Sequence, residues 1–97
     1  MKLFKDKNLS EEIEELDLGI VEAGESKKFV FYVLNDSMAY LKNLKFEIEH
    51  SEVKILDFPE KLQANKNGEL LIEWNPSITL KEGLKAQLKI SGTELWG

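Results

Sequence analysis

The stretch Lys27-Lys28-Phe29-Val30-Phe31-Tyr32-Val33-Leu34 contains the longest run of apolar residues in the chain. Aromatic and β-branched residues fill it, and both types favour extended strands. Because successive side chains of a strand point to opposite faces, alternate positions separate into two sets. The set that we expect to fill the core is Phe29, Phe31 and Val33. The set that we expect to face outward is Val30, Tyr32 and Leu34.

Shorter alternating segments lie on both sides of this strand. Before it, residues 16–21 predict a strand in which Gly19 marks a bulge or a close approach. After it, residues 35–37 open a loop, and residues 44–49 alternate apolar and charged side chains, as half-buried strands do. A further short strand is expected before Pro59, which has no backbone N–H to donate and either ends this segment or confines it to a sheet edge.

The second half of the chain repeats this pattern of strands and turns. Asn67-Gly68 is a strong hairpin-turn signal. We expect residues 69–74 to form the next strand, with Trp74 pointing into the core. Residues 84–90 alternate again, and Ser91-Gly92 predicts a turn before a short final strand.

About seven short strands with frequent turn signals, and no amphipathic helix of useful length, are typical of a β-sandwich. The sequence therefore predicts an all-β protein, an immunoglobulin-like antiparallel β-sandwich of about seven strands. A length of 97 residues suits one such domain. We expect the domain to occupy residues 14–97, after a charged N-terminal arm at residues 1–13.

The N-terminal arm is set apart by its charge and its weak periodicity. Ser10 is a candidate cap for a short turn through the glutamates that follow it. Two interpretations are open: a frayed terminus, or a segment that becomes ordered on a partner. In the second interpretation, Leu3 and Phe4 are the apolar anchors.

The composition excludes several classes of function. The net charge is −5, all 13 basic residues are lysine, and cysteine is absent. Without cysteine, there is no disulfide framework, thiol nucleophile or thiolate metal site. A net-acidic chain without arginine suits the phosphate backbone poorly, so we expect no nucleic-acid partner. We also expect no membrane span, since no apolar stretch is long enough, and no signal peptide.

The residues that carry common chemistries do not form a known pattern. His50 has Ser51 as its neighbour, but adjacent strand residues face opposite sides, so a hydrolase triad is not expected. We read His50 as a solvated surface residue. Glu47 and Glu49 share a face that we expect to lie in water rather than to form an acid–base pair. Residues 35–37 offer calcium-ligand types without a binding pattern. We therefore predict no catalytic residue, no cofactor and no metal site.

Two segments resemble a broad group of immunoglobulin-like domains: Leu16-Asp17-Leu18-Gly19-Ile20-Val21-Glu22-Ala23-Gly24-Glu25, followed by the long strand ending in Asn35, and Ile72-Glu73-Trp74-Asn75-Pro76. The group includes the major-sperm-protein type, the ASH type of ciliary and centrosomal proteins, and bacterial and phage relatives. The resemblance covers about residues 16–92. It implies the sandwich fold, no shared catalytic residues, and a role in adhesion, scaffolding or assembly.

Most members of this group are modules of longer chains, whereas we expect this chain to be a free-standing domain. In that respect it resembles a small accessory protein of a phage particle, such as a capsid decoration protein. The resemblance implies that the partners are protein subunits of a larger assembly, with a major capsid or tail protein as candidates. It also implies a location in the virion or in the cytoplasm.

The outward-facing set of the long strand is the main candidate binding site. One face of each sheet in a two-layer sandwich lies in water, so an apolar outward set needs a cover. The candidate covers are the N-terminal arm, the loop at residues 36–43, and a partner protein. Trp96 is a second candidate anchor, because aromatic residues are frequent at the centres of interfaces.

Two other functions stay open at this point. One is an adaptor domain of the cytoplasm that binds a protein or peptide by adding a strand at a sheet edge. The other is a carbohydrate-binding module that uses Trp96, Tyr32 or Tyr40 as an exposed platform. The candidate partner-binding residues are Leu3, Phe4, Val30, Tyr32, Leu34 and Trp96.

Overall fold

The computed structural model describes residues 1–96, and within them it contains nine β-strands and no helix. The prediction of an all-β fold is confirmed. The strands are β1 (Lys2–Phe4), β2 (Glu12–Ile13), β3 (Leu16–Gly19), β4 (Lys27–Leu34), β5 (Tyr40–Ile48), β6 (Val53–Asp57), β7 (Asn67–Trp74), β8 (Leu84–Ala86) and β9 (Leu88–Leu95). The count exceeds the predicted one because two short strands lie within residues 1–13. Gly97 lies outside the described residues.

The strands form two layers around one core. One layer is a five-stranded antiparallel sheet in the order β2-β1-β4-β7-β6. The other layer consists of two antiparallel pairs, β3 with β8 and β5 with β9. Only Gln87 separates β8 from β9, so the two pairs share one segment of chain. Buried residues from both layers belong to one hydrophobic cluster, as in a β-sandwich.

The long apolar stretch is β4, in the centre of the five-stranded sheet and with the predicted bounds. Its alternation is confirmed: Phe31 and Val33 are 4% and 0% exposed, whereas Val30 is 42% exposed. Phe29, near the start of the strand, is half-buried. An unbroken antiparallel ladder joins β4 to β7, so this pair of strands sets the register of the sheet.

β7 contributes the most deeply buried part of the core. Its inward-facing residues, each 0% exposed, are Leu70, Ile72 and Trp74. The predicted core position of Trp74 is thereby confirmed. The ring of His50 lies edge-on to the Trp74 indole, with 6.5 Å between the ring centroids. His50, which the sequence placed on a solvated surface, is half-buried beside the core.

Two turns predicted from glycine-containing dipeptides are wrong. Asn67-Gly68 begins β7, and the turn lies before it, at residues 63–66. Ser91-Gly92 lies inside β9, which continues through the predicted turn. At each glycine a Cβ atom would lie 2.8 Å from a side-chain carbon, of Pro59 at the first and of Leu44 at the second. These glycines therefore allow close packing within a strand rather than a change of direction.

Residues 1–13 are part of the sheet. β1 pairs with the edge of β4, so that Leu3 lies opposite Val33 and Phe4 lies opposite Tyr32. β2 then pairs with β1 on its other side. The arm therefore extends the five-stranded sheet, and it does so by contacts with residues that are about 30 positions later in the chain.

The turn between β1 and β2 is held by Asp6. Its carboxylate accepts hydrogen bonds from the backbone N–H groups of Ser10 and Glu11, at 3.0 and 2.8 Å, and from the Ser10 hydroxyl. The bond from the hydroxyl is the largest of the effects that lower the pKa of Asp6 below its ordinary value. The predicted capping is thus reversed, because Ser10 donates to the capping side chain instead of providing it.

We predict that the backbone amides of Ser10 and Glu11 report on this carboxylate in a pH titration followed by NMR. Their signals should move with a midpoint below 3.8, the ordinary pKa of this carboxyl group. Because the folded pKa is depressed, the contact contributes stability above the unfolded pKa and loses it as the pH falls through the folded pKa. Asp6→Asn should abolish the transition, and a midpoint at or above the ordinary value would contradict the prediction.

The buried side chain and the backbone of Asn35 connect the end of β4 to the loop at residues 37–39 and to residues 62–66. Its Nδ2 donates to the backbone carbonyls of Ala39 and Leu62, at 2.8 and 3.0 Å. Its Oδ1 accepts from the backbone N–H and the hydroxyl of Ser37. The backbone of Asn35 bonds with the turn before β7. The side chain is thus satisfied at both polar atoms, as its 0% exposure requires.

Asn35→Ala should lower the free energy of unfolding by about 2–3 kcal/mol, because it removes the four hydrogen bonds that the buried side-chain amide makes. Asn75→Ala, at an exposed asparagine, is the matched control and should change it by less than about 0.5 kcal/mol. Urea denaturation of both variants measures the difference. Equal stabilities would show that the Asn35 hydrogen bonds do not hold the fold together.

Candidate binding surfaces

Apolar side chains occupy the outer face of the five-stranded sheet. Val30 on β4 lies opposite Leu71 on β7, so the two side chains share that face. Val30 is 42% exposed, whereas Tyr32, Leu34 and Leu71 are half-buried. We call these four residues the outer strip. Three of them are the outward-facing residues predicted for the long strand, and the sheet register adds Leu71.

Charged residues border the outer strip. Glu69 lies opposite Tyr32, and Glu73 lies between Lys28 on one neighbouring strand and Lys54 on the other. Residues directly opposite on neighbouring strands share a face, so these charges surround the apolar side chains. An apolar centre with a charged border is the usual anatomy of a protein–protein interface.

The predicted anchors of the arm, Leu3 and Phe4, are buried in the chain's own fold, at 8% and 7% exposure. Leu3 belongs to the core, and Phe4 shares the outer face with its cross-strand neighbour Tyr32. In this fold they are not available as anchors for a partner, because their contacts with β4 already bury them. The arm adds to the edge of the sheet and leaves Val30 exposed.

The loop at residues 36–43, the other predicted cover within the chain, does not shield the strip either. From Tyr40 onward this segment is β5, in the opposite layer. Met38 is 77% exposed and so is not packed against the sheet. Neither the arm nor this loop covers Val30, which is 42% exposed. Of the three candidate covers, a partner protein is the one that remains for this residue.

Trp96 lies in the opposite layer, directly after the end of β9. It is 66% exposed, and its indole N–H donates to the Glu94 carboxylate at 3.2 Å. The preceding residue, Leu95, lies opposite Tyr40 on β5. Tyr32 is in the other sheet, so the fold does not bring the three candidate platform aromatics onto one face.

A second surface, not found by sequence reasoning, is the side of β9 that faces away from β5. β9 pairs with β5 along its whole length, from Leu88 to Leu95, and no other strand within residues 1–96 pairs with it. Because a turn was predicted at Ser91-Gly92, residues 88–95 were not recognised as one continuous strand. The alternation of apolar and polar residues over positions 84–90 could have indicated this strand, because residues 88–90 are its beginning.

Two of the groups considered for catalysis, His50 and Glu49, take part in structural contacts. The Nδ1 atom of His50 accepts a hydrogen bond from the backbone N–H of Glu52 at 3.3 Å. Glu49 forms an ion pair with Lys89 at 2.8 Å, and hydrogen bonding to that lysine lowers the pKa of the Glu49 carboxyl. Both Glu47 and Glu49 are exposed, as predicted. These carboxylates therefore belong to a solvated face of the sheet.

The loop that offered calcium-ligand types is occupied by other interactions. The Asn35 amide is buried and fully hydrogen-bonded, and the Asp36 carboxylate lies 3.1 Å from the Met1 amino nitrogen. Among the residues that the structure describes, no three acidic, histidine or cysteine side chains come together as metal ligands.

No family model, curated protein or solved structure matches this chain. In the described part of the chain, no helix has the length and apolar character needed to cross a membrane.

The different burial of the two tryptophans gives a direct test of the fold around these surfaces. Trp96 is 66% exposed and Trp74 is 0% exposed, so acrylamide should quench the fluorescence of Trp96 and leave that of Trp74 largely unaffected. Trp96→Phe should remove the quenchable emission. The reciprocal variant, Trp74→Phe, should retain it, and strong quenching of Trp74 emission in the Trp96→Phe protein would contradict the assigned core.

Proposed function

We propose that this chain is a non-enzymatic structural protein, an accessory subunit that binds other protein subunits in a larger assembly such as a phage particle. The observation that carries the proposal is the outer strip. Val30, Tyr32, Leu34 and Leu71 form an apolar surface on the face of the sheet that is turned to solvent. Exposed apolar patches with a polar border are typical of surfaces that bind proteins.

The chemistry of the strip supports a protein partner. Tyr32 has a large apolar ring and a hydroxyl group, a combination that is enriched where binding energy is concentrated in interfaces. The bordering glutamates and lysines carry both signs of charge, so they suit a partner surface of mixed charge. The rigid sheet presents these side chains without further ordering, which lowers the entropic cost of association.

The phage particle enters the proposal through the resemblance of residues 16–25 and 72–76 to immunoglobulin-like domains with phage relatives. In such an assembly, the same contact is repeated many times over a regular lattice of subunits. Multiple attachments raise the effective affinity well above that of a single weak contact. A small strip on a small domain is sufficient under those conditions.

A second candidate function is an adaptor domain of the cytoplasm that binds one extended segment of a partner. The unpaired side of β9 favours it, because exposed strand edges bind peptides by main-chain hydrogen bonds. The two candidates differ in the surface that they use. The first depends on the outer strip, and the second depends on the edge of the opposite layer.

We expect Tyr32→Glu to prevent assembly without unfolding the domain, because it puts a charge in the centre of the apolar strip. Ile78→Glu is the matched control: Ile78 is 63% exposed and lies outside the strip. Particles that lack this chain are prepared from the source organism, and the native chain or one of the two variants is added to them. Mass spectrometry then measures how much of the added protein sediments with the particles. Circular dichroism verifies that each variant is folded.

Co-sedimentation of the native chain and of Ile78→Glu at a fixed ratio to a shell or tail protein, with loss of Tyr32→Glu, is the expected result. Co-sedimentation of a folded Tyr32→Glu protein at the native ratio would rule out the outer strip as the attachment surface. Recovery of one scarce partner and none of the chain in particles would favour the adaptor function.

A further inference from the structure

One side of β9 has no backbone partner within the described residues. The ladder to β5 runs from Leu88 opposite Ile48 to Leu95 opposite Tyr40. On the other side of β9, no backbone hydrogen bond joins residues 88–95 to another part of the described chain. Alternate N–H and C=O groups of a strand point to each side, so this side presents a row of unpaired donors and acceptors.

The other strand edges of the fold are shorter, irregular or partly covered. On the outer side of β5, Leu41 and Leu44 are bonded to residues 60–62, which leaves only residues 45–48 of that side without such bonds. The ladder between β6 and β7 is irregular beside Leu56, and β2 and β3 have only two and four residues. β9 has eight residues, a length of about 25 Å in an extended strand. The irregularity in its ladder falls on β5, where three residue steps match two on β9, so the edge of β9 is long and regular.

A groove runs beside this edge, between β9 and the other layer, which contributes the β1–β2 hairpin at one end and Asn35 and Ser37 at the other. It consists of two adjoining cavities of about 540 and 300 Å³, which have Met1, Leu88 and Ile90 in common. Leu44 contributes to the larger cavity, and Ile13 contributes to the smaller. Inward-pointing side chains of a strand added to β9 would enter this groove, because alternate residues of a strand point to the same side.

We propose that the free edge of β9 accepts an extended segment of a partner protein as an additional strand. Apolar side chains at alternate positions of the segment fill the groove over Leu88 and Ile90. Basic residues at the ends of the segment lie next to Glu94 and to the glutamates of the β2 region. The inference rests on the proposed role as a protein-binding subunit, and it specifies the partner's chemistry.

The charges around the groove determine the choice of a basic segment. Glu94 lines its larger part, and Glu12 and Glu14 line its smaller part; the cations are Lys2 and the Met1 amino group, which is paired with the Asp36 carboxylate. The chain as a whole has a net charge of −5. A segment with lysine or arginine beside its apolar positions therefore gains attraction that an acidic segment would lose.

A second copy of this chain fits the edge less well. If two β9 strands pair antiparallel about Gly92 with their inner faces aligned, Glu94 of each copy lies opposite Ile90 of the other. That pairing puts a carboxylate against an apolar side chain twice, and it joins two chains that each carry a charge of −5. The charge pattern thus favours a foreign segment.

Synthetic peptides of nine residues provide the test. The probe has alternating valine and threonine with lysine at both ends; a second peptide has glutamate at both ends, and a third has two valines replaced by proline. Each is titrated into the isotopically labelled full chain and followed by NMR. We expect the lysine peptide to shift the amide signals of residues 88–95 and to bind about threefold or more tightly than the glutamate peptide. The proline peptide should not bind, since it cannot complete the ladder.

Two variants with opposite expectations refine the test. Glu94→Lys, at an exposed residue, should reduce or reverse the preference for the lysine peptide. Glu47→Lys makes the same change on the outward face of β5 and should leave the preference as it is. Tyr32→Glu should bind the peptide like the native chain, so failure of the edge and failure of the outer strip are measured separately.

The proposal is overturned by three results. The first is the absence of shifts with about 1 mM lysine peptide. The second is shifts that map to the outer strip or that the proline peptide also produces. The third is a peptide-free dimer in sedimentation experiments with residues 88–95 at its interface, which would assign the edge to a second copy of the chain.

Discussion

The buried amide of Asn35 is the interaction on which the arrangement of the sheet depends. It joins the end of β4 to the backbone at Ala39 and Leu62, and the Asn35 backbone bonds to the turn before β7. Together these contacts place Leu34 opposite Asn67. A shift of one residue in that register would turn every side chain of a strand to the other face. The burial of Phe31 and Val33, and the exposure of Val30, follow from that register.

The two proposed binding surfaces arise from different physical causes. The outer strip exists because a strand with apolar residues on both faces lies in a sheet that has only one buried face. The free edge of β9 exists because β3 pairs with β8 and no further strand continues along β9. Because the surfaces lie on different layers, a partner at one leaves the other open. A subunit with two such contacts can link neighbours within an assembly.

Sequence reasoning succeeded where local pattern decides the structure. The bounds of β4 and the buried side of β7 follow from an alternation that matches the period of a strand. It failed at Gly68 and Gly92, because the absence of a Cβ atom serves both turns and close packing, and only the neighbouring strand shows which applies. Residues 1–13 were also set apart from the domain as an arm, because their order comes from pairing with β4, which is far away in sequence.

The free edge could not be predicted, because an edge is a property of strand pairing rather than of residue type. The residue types do show that few charged side chains protect this edge from pairing with another strand. Lysine side chains commonly protect exposed strand edges from pairing with other strands. Lys89, however, is on the outward face, where it pairs with Glu49. The inward-facing Leu88 and Ile90 carry no charge, and Glu94 lies only at the far end. An unprotected edge eight residues long favours aggregation in a free domain. In a domain whose partner covers the edge, the same groups bind the partner instead. That contrast is the physical reason to expect a partner strand at β9.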